Sequence, residues 1–511
     1  MKHFYLTTAI DYANGQPHMG HAYEKVLADV IARHRRLCGQ PVYFLTGLDE
    51  HGQKVQQTAE KEGIEPQQLC DRVAGDFQKL CHSLHISHDD YIRTTEKRHK
   101  IVVQSVLQKL FEQDEIYLAD YQGLYSPRLE QFLQEKDKVD GHWPEEFGEV
   151  IEISEKNYFF RLRRYYPWLV HYIKTHPDFI FPHFRAKQVL EFLKDEPNDL
   201  CISRPKKRLA WGIPLPFDED YVTYVWFDAL LNYLSAVGYG EEALGHYWPV
   251  DIQIIGKDIL LPAHTIYWPC MLKALELEMP RTLLAHGWWL VSGSKMSKST
   301  GQVVQPLDYV RLCGADAFRY FVMREMVIGQ DCDFSHERFM ARYNGDLGND
   351  FGNLVHRLLH MLRRYCGSAI PRGNFSDADD QALRQHWQEI LPRISEAYQH
   401  FAIHSALELL WEMLRLLNRF TELRSPWSLA KSSRDEDRKK LEATLATLAE
   451  GLRLVVNALQ PVMPETSRIV LNALGLTSEA NLHWDQSLRW SQGLEGRSVG
   501  DPSVLFPRVE G

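Results

Sequence analysis

The sequence is poor in paired cysteines. Its eight cysteines stand singly along 511 residues, with no CxxC spacing anywhere, which argues against a disulfide framework and suits reduced thiols in a cytosol. Long apolar runs are missing too. No stretch approaches the roughly 20 consecutive apolar residues that a bilayer-crossing helix needs. The opening residues Met1-Lys2-His3-Phe4-Tyr5-Leu6 enter a strand pattern at once, without the zones of a secretory signal. Positive charge is in deficit: 58 Lys and Arg against 68 Asp and Glu leave a net charge of −10. Affinity for polyanions comes mainly from neutralised phosphates, so indiscriminate nucleic-acid binding is excluded and any RNA contact must be local. Arg204-Pro205-Lys206-Lys207-Arg208 and the run from Arg357 to Arg364 are the candidate patches, each by default a solvated face. These absences point to a soluble, cytoplasmic protein that makes no membrane contact.

What is present centres on Thr7-Thr8-Ala9-Ile10-Asp11-Tyr12-Ala13-Asn14-Gly15-Gln16-Pro17-His18-Met19-Gly20-His21. The stretch runs from a β-branched, apolar segment through a turn into a helical pattern, so two imidazoles and a glycine fall at a helix N-terminus. Unpartnered backbone N–H groups and the positive end of the helix dipole make such a place a natural anion site, and nucleotide phosphates are the obvious anions. The bland reading of His18 and His21 is two surface histidines in a chain with 23 of them, since a four-residue pattern alone is a weak signal. Far downstream, Lys295-Met296-Ser297-Lys298-Ser299 supplies two ammonium groups and two hydroxyls on a loop pattern.

The length exceeds what one hydrophobic core organises, and two or more domains are expected. His3 to Ala9 and Val42 to Thr46 read as strands, with helical spacing over Ala22 to Leu37 between them and Gly47-Leu48-Asp49-Glu50-His51-Gly52 after the second. This βαβ grammar implies parallel strands, right-handed crossovers and ligands at the strands' carboxyl ends. From about residue 115 it gives way to short aromatic-rich runs at Tyr117 to Tyr125, Glu149 to Ile153 and Tyr158 to Leu162. It resumes near Tyr221, with strands over Asp251 to Ile255 and Thr282 to Gly287. Beyond Asn344 helical periodicity dominates Asp346 to Tyr365, Asp377 to Arg419 and Asp435 to Leu474. The expected fold class is α/β: a Rossmann-like parallel-sheet catalytic domain split by an inserted connective module and followed by an α-helical bundle. The boundaries are 1–114 and 221–290 for the catalytic halves, 115–220 for the insertion and 291–345 for the lysine-serine loop and stem-contact region. The bundle takes 346–475, and 476–511 is an irregular tail packed on the surface.

The pair His18-Met19-Gly20-His21 and Lys295-Met296-Ser297-Lys298-Ser299 resembles the HxGH and KMSKS signatures of class I aminoacyl-tRNA synthetases. Further blocks are similar to methionyl-tRNA synthetases in particular: Asp49-Glu50-His51-Gly52, Tyr224-Val225-Trp226-Phe227-Asp228-Ala229, Ile255-Gly256-Lys257-Asp258-Ile259 and Tyr267-Trp268-Pro269. Asn353-Leu354-Val355-His356-Arg357 and Ser425-Pro426-Trp427 extend the likeness through the helical part.

The resemblance implies ligation of L-methionine to methionine tRNA, initiator and elongator, through methionyl-adenylate, with ATP as substrate and Mg²⁺ on its phosphates. The methionine slot would be built from Ala9, Ile10, Tyr12, Trp226, Ala229, Leu230, Tyr233 and His264, with Asp49 holding the α-ammonium. An apolar, polarizable side chain calls for such an aromatic-lined slot. His18, Gly20 and His21 would take ATP, Gly256 and Asp258 the ribose, and Lys295 and Lys298 the triphosphate. Asn353, Arg357, Pro426 and Trp427 correspond to the positions that read the anticodon, where unstacked bases are read by stacking and edge hydrogen bonds. Trp427 also reads as an ordinary core tryptophan at a helix start.

Departures from the family pattern carry their own expectations. Many members hold zinc in CxxC knuckles of the insertion. Here no cysteine lies between Cys81 and Cys201, and Gly123-Leu124-Tyr125-Ser126-Pro127 stands where a first pair belongs, so no structural zinc is expected. Leu260-Leu261-Pro262-Ala263-His264 runs one residue longer than the usual pattern, and Leu230 occupies a common proline position. No dimerising appendage follows the bundle, so a monomer is expected. The insertion is too short for a separate hydrolytic sieve. Competing readings are another class I synthetase, a HxGH nucleotidyltransferase that acts without tRNA, and a catalytically silent RNA-binding relative.

Overall fold

The computed structural model describes residues 2–126, 131–133, 138, 141–291, 293–295, 304–373, 377–476, 483–491, 493–501 and 504–509. They form two compact units: Met1–Gln16 with Leu45–Gln78 and His88–Ala285, and Pro17–Phe44 with Lys79–Ser87 and His286–Gly511. Lys298 and the loop around it, 296–303, lie outside the described residues. Among the described residues no helix is long and apolar enough to cross a membrane.

The first unit is built on a six-stranded sheet of order β3-β2-β1-β12-β13-β7. Its strands are β1 (Phe4–Tyr12), β2 (Val42–Asp49), β3 (Asp90–Arg93), β7 (Ile180–Phe181), β12 (Ile252–Gly256) and β13 (Thr282–His286). β1 pairs with β12, β2 with β3 and β13 with β7, each parallel. Parallel sheets are covered on both faces, which explains why β1, β2 and β12 are buried almost throughout rather than alternating. Gly47 in β2 is there for space: a Cβ would stand 2.1 Å from the Ile92 carbonyl oxygen of β3.

Residues 116–223 of this unit contribute two antiparallel sheets. One has the order β5-β4-β6-β8, from β4 (Ile116–Ser126), β5 (Gln131–Leu133), β6 (Ile151–Phe160) and β8 (Leu200–Cys201). The other has the order β10-β11-β9, from β9 (Ser203–Pro205), β10 (Pro214–Leu215) and β11 (Asp218–Thr223). The two aromatic runs read separately at 149–153 and 158–162 are one strand, β6, whose register with β4 is unbroken from Ile151 to Phe160. The patch at 204–208 is only partly a solvated face: Lys206 and Lys207 are exposed, but the arginines are engaged. Arg204 is buried with its guanidinium 3.8 Å from the Tyr224 ring centroid, and Arg208 pairs with Glu155 at 2.9 Å.

The second unit holds the helix α1 (Met19–Leu37), a small sheet of β14 (Trp289–Val291), β15 (Ser294–Lys295) and β16 (Cys332–Asp333), and the helices beyond. α1 is buried on every face from Ala22 to Ala32, including Glu24, Lys25 and Asp29. It packs within this unit against the helix Ala315–Glu325, where Arg319 meets Asp29 at 2.7 Å with neither side chain exposed. The bundle comprises Asn353–Cys366, Ala378–Gln399, Ile403–Arg424 and Asp435–Leu459. The continuous period at 377–419 is two helices, parted at Phe401, whose φ of +61° no glycine or proline announces. The tail differs from a surface strip as well. Trp484, Leu488 and Phe506 are buried, and the Trp387 indole donates to the Leu488 carbonyl at 2.9 Å.

Candidate functional site

In the first unit the strand ends hold the predicted slot residues. The Thr8 and Thr46 hydroxyls meet at 2.7 Å and tie β1 to β2. The Ala13 amide donates to the Asp49 carbonyl at 2.8 Å, so the turn after β1 is fastened to the end of β2. Ala9 and Asp49 are buried, while Ile10 and Tyr12 are half-buried. Tyr12 packs against the cluster formed by Ala13, Leu48, Val55 and Phe77, and the Lys54 ammonium stands 5.6 Å from its ring centroid.

Trp226 sits half-buried on the short helix Val225–Ala229, with Ala229 and Leu230 buried at its end. Tyr233 and His264 are joined. The Tyr5 hydroxyl donates to the Tyr233 carbonyl at 2.8 Å, and the Tyr233 hydroxyl lies 2.9 Å from His264 Nε2. His264 Nδ1 lies 2.9 Å from the Ile259 carbonyl oxygen. A carbonyl only accepts, so Nδ1 carries the proton, Nε2 accepts, and the Tyr233 hydroxyl is the donor. The segment ahead of Trp268 forms a π-helical turn, Leu260–Tyr267, with Leu261 out of helical geometry. Gly256 closes β12 at φ −66°, a value any residue adopts, and exposed Asp258 follows on the short helix Lys257–Ile259.

A cavity of about 590 Å³ in this unit is lined by Trp168, Tyr172, His176, Lys273 and Arg281. It adjoins the segments that precede β7, β12 and β13, at the strands' amino ends, and it contains none of the predicted residues.

The second unit carries the two histidines, and they form an N-terminal capping box on α1. His18 Nδ1 accepts from the Gly20 amide at 3.1 Å, and His21 Nδ1 accepts from the His18 amide at 3.1 Å. The rings stack 3.7 Å apart at 20°. With Nδ1 engaged as acceptor in both, each neutral ring bears its proton on Nε2, the position able to donate to an anion. Gly20 has a local reason: a Cβ there would sit 3.0 Å from His18 Cε1. One turn on, Glu24 accepts from Lys25 at 3.2 Å and from His286 at 3.0 Å. Burial opposes its charge, but Lys25 and His286 outweigh it and hold the carboxyl below the usual range. Lys295 lies in β15, paired in register with Leu290.

Also in this unit, Asn353 and Arg357 lie one turn apart on the helix Asn353–Cys366. The Arg357 guanidinium stands 5.6 Å from the Trp427 ring centroid and pairs with Glu422 at 2.6 Å. Trp427 is half-buried, not a core residue. It follows buried Pro426 at the start of the helix Pro426–Leu429, which Ser425 launches with a φ of +42°.

Residues 4–149 and 146–359 match the family model described as tRNA synthetases class I (M). The methionine–tRNA ligase of Bacillus subtilis is 41% identical over 525 residues, an alignment that spans 99% of this chain and 78% of that protein. The chain belongs to the methionyl-tRNA synthetase family. A second member, the methionine–tRNA ligase of Fusobacterium nucleatum, is 38% identical across 100% of this chain and 80% of its own length. Among solved structures, the Mycobacterium tuberculosis methionyl-tRNA synthetase in complex with methionyl-adenylate superposes with a TM-score of 0.93 at 37% identity, covering 99% of this chain and 100% of that one. Its apo form gives 0.86 at 35% identity, covering 100% and 99%. The fold is the mixed α/β architecture of this family, with its parallel sheet and many helices.

Sequence reasoning missed one feature of this synthetase, a carboxylate held between two imidazoles beside the slot. His51 Nδ1 and His99 Nε2 each lie 2.7 Å from an oxygen of buried Asp228. His51 and Asp228 each lie in a block that carried the family resemblance, but nothing in their spacing signalled contact, and His99 stood in no motif.

Proposed function

We propose that the chain catalyses ATP-dependent ligation of L-methionine to methionine tRNA, initiator and elongator, as a cytoplasmic monomer. A carboxylate oxygen of methionine attacks the α-phosphorus of ATP, the bond from that phosphorus to the bridging oxygen breaks, and pyrophosphate leaves. A ribose hydroxyl of the terminal adenosine then takes the methionyl group from the adenylate, and AMP departs. No enzyme nucleophile is needed, so the work is placement and charge stabilisation.

The observation that carries this reading is the two-histidine capping box, because it fixes two Nε2–H donors at the N-terminus of a long helix. In this reading His18 and His21 donate to phosphate oxygens that gain charge, Gly20 keeps the His18 ring seated, and Gly256 and Asp258 take the ribose. Lys295 and Lys298 neutralise the triphosphate. Mg²⁺ would enter with the nucleotide and offset the charge of its phosphates. Asp49 pairs with the α-ammonium, and Ala9, Ile10, Tyr12, Trp226, Ala229, Leu230, Tyr233 and His264 form the slot. Asn353, Arg357, Pro426 and Trp427 read the anticodon.

Residues 1–114 and 221–290 make the catalytic domain, 115–220 the insertion, 291–345 the stem-contact region, 346–475 the bundle and 476–511 the tail. The insertion works without zinc. Where a first cysteine pair belongs, Tyr125 is fully buried, with the Arg208 and Arg204 guanidinium carbons 4.6 and 5.4 Å from its ring centroid, so cation–π contacts take the place of a metal tie. Metal analysis of the purified protein is expected to find well under one zinc per chain, and a stoichiometric signal refutes this.

The decisive experiment is ATP–pyrophosphate exchange with each of the twenty amino acids, with methionine expected to support it far above the rest. Lys298→Ala should cost about 3 kcal/mol of transition-state stabilisation in adenylate formation. Near-normal exchange in that variant removes Lys298 from the mechanism.

A further inference from the structure

The helix that carries Trp226 spans only Val225–Ala229, and the next, Asn232–Ser235, only four residues. Helices this short do not hold their own geometry, so something outside them must. Asp228, 1% exposed, supplies it. Its Oδ2 accepts from His51, two residues beyond Asp49, and its Oδ1 accepts from His99 on the helix Lys97–Glu112, each at 2.7 Å. The second nitrogen of His99 lies 2.7 Å from the Ser235 hydroxyl, which donates to the Asn232 carbonyl at 3.1 Å. One buried anion therefore fastens the loop after Asp49 to the helix of Trp226 and Ala229. His99 extends the tie to the helix of Tyr233.

The loop is held from its other side as well. The Trp211 indole donates to the Glu50 carbonyl at 2.5 Å, the Gly52 amide donates to the Trp211 carbonyl at 3.3 Å, and Arg93 meets the Glu50 carboxylate at 2.6 Å. Burial works against the charge on Asp228, yet the His51 ring and the hydrogen bonds from both imidazoles hold its carboxyl far below the usual range, so the anion persists across any assay pH. Such an arrangement is a poor way to gain stability. Burying an anion is costly, and apolar residues of similar size usually do as well. What apolar packing would not supply is a fixed direction and spacing.

We propose that Asp228, with His51 and His99, is a positioning residue for the amino-acid half of the reaction, setting the distance between the Asp49 carboxylate and the Trp226 helix. The inference rests on the assignment of Asp49 and Trp226 to methionine. Asp228 itself touches no substrate. Its replacement acts through the slot, because a carboxamide keeps the shape but presents N–H groups where one imidazole also presents an N–H.

The test is ATP–pyrophosphate exchange on full-length Asp228→Asn. KM for methionine is expected to rise at least tenfold, with KM for ATP within twofold of the parent. A purely structural role would instead lower Tm and the active fraction and leave both KM values unchanged, which overturns the proposal. Should Asp228→Asn fail to fold, His99→Gln gives the second reading: it keeps one N–H for Asp228 and loses the tie to Ser235. A rise of about threefold in KM for methionine alone is expected there, and no rise overturns the proposal. Asp49→Ala separates the two layers. If it leaves KM for methionine unchanged, the slot assignment falls and the positioning role with it. If it raises KM while the Asp228 and His99 variants do not, only the positioning role falls.

Discussion

At the scale of single residues, the proposed function gives the two histidines of the HxGH stretch two jobs on two different ring atoms. Nδ1 completes the capping box of α1, so in the neutral ring the cap selects the tautomer with its proton on Nε2. The jobs separate by substitution. Asparagine is as good an N-cap as any residue, so His18→Asn should leave Tm within about 2 °C of the parent, a helix-cap change of a few tenths of a kcal/mol. It lacks a donor at the reach of Nε2, so exchange should fall by about 10²- to 10³-fold, the cost of losing one donor to a developing oxyanion. A large loss of Tm with little loss of activity would make the cap the residue's whole purpose. The presence of two imidazoles at a helix start was legible from spacing alone. Their tautomer was not, because it depends on which amide each Nδ1 meets. For Gly20, a local reason is the His18 ring, which a Cβ would crowd at 3.0 Å.

At the scale of elements, periodicity located helices and strands well and their interruptions poorly. The break at Phe401 lacks the glycine that marks an ordinary end, and nothing in the helical spacing announces the π-helical turns at Leu260–Tyr267 and Tyr343–Gly352. They arise from packing, which overrides local preference. β6 was read as two runs because the polar stretch Ser154-Glu155-Lys156-Asn157 interrupts it, yet its ten-residue ladder with β4 is continuous. In the bundle, one tight junction does the placing. Ser425 in the left-handed region turns the chain at the end of Ile403–Arg424, Pro426 fixes the next φ, and Trp427 comes to lie with one face toward Arg357. A planar guanidinium beside a half-buried indole is a platform on which an unstacked base gains about 1–3 kcal/mol. Trp427→Ala should therefore lower kcat/KM for charging of methionine tRNA at least tenfold while exchange without tRNA keeps its parental rate. Equal loss in both assays would instead reveal a folding defect.

At the scale of the whole molecule, each unit buries ionised or ionisable groups whose folded pKa values lie below their unfolded ones, and they set the acid limit of stability. In one unit Asp228 is held low by His51 and His99 against its burial. In the other, Asp29 is held low by Arg319 and Arg33 against its own burial, and Arg319 also donates to the carbonyls of Leu84, Pro461 and Val462. A depressed carboxyl contributes stability that is fully present above its unfolded pKa, near 4, and is lost as pH falls through the folded value. These carboxylates therefore leave stability flat between pH 7 and 5. His34 acts earlier. It is buried with its ring stacked on Tyr398 at 4.8 Å and edge-on to Trp484 at 4.7 Å, and burial, with Arg35 adding to it, lowers its pKa to about 4. From pH 6.5 down to 4 the unfolded chain binds a proton there that the folded chain refuses. Folding stability must fall with pH over that window, by about 3 kcal/mol if the difference is about 2.5 pKa units at 1.36 kcal/mol each. Thermal or urea unfolding of the parent should show this slope between pH 6.5 and 4, and His34→Gln, which cannot titrate, should flatten it by that amount even if its stability at pH 7 is lower. An unchanged slope in the variant would assign the acid sensitivity to other histidines.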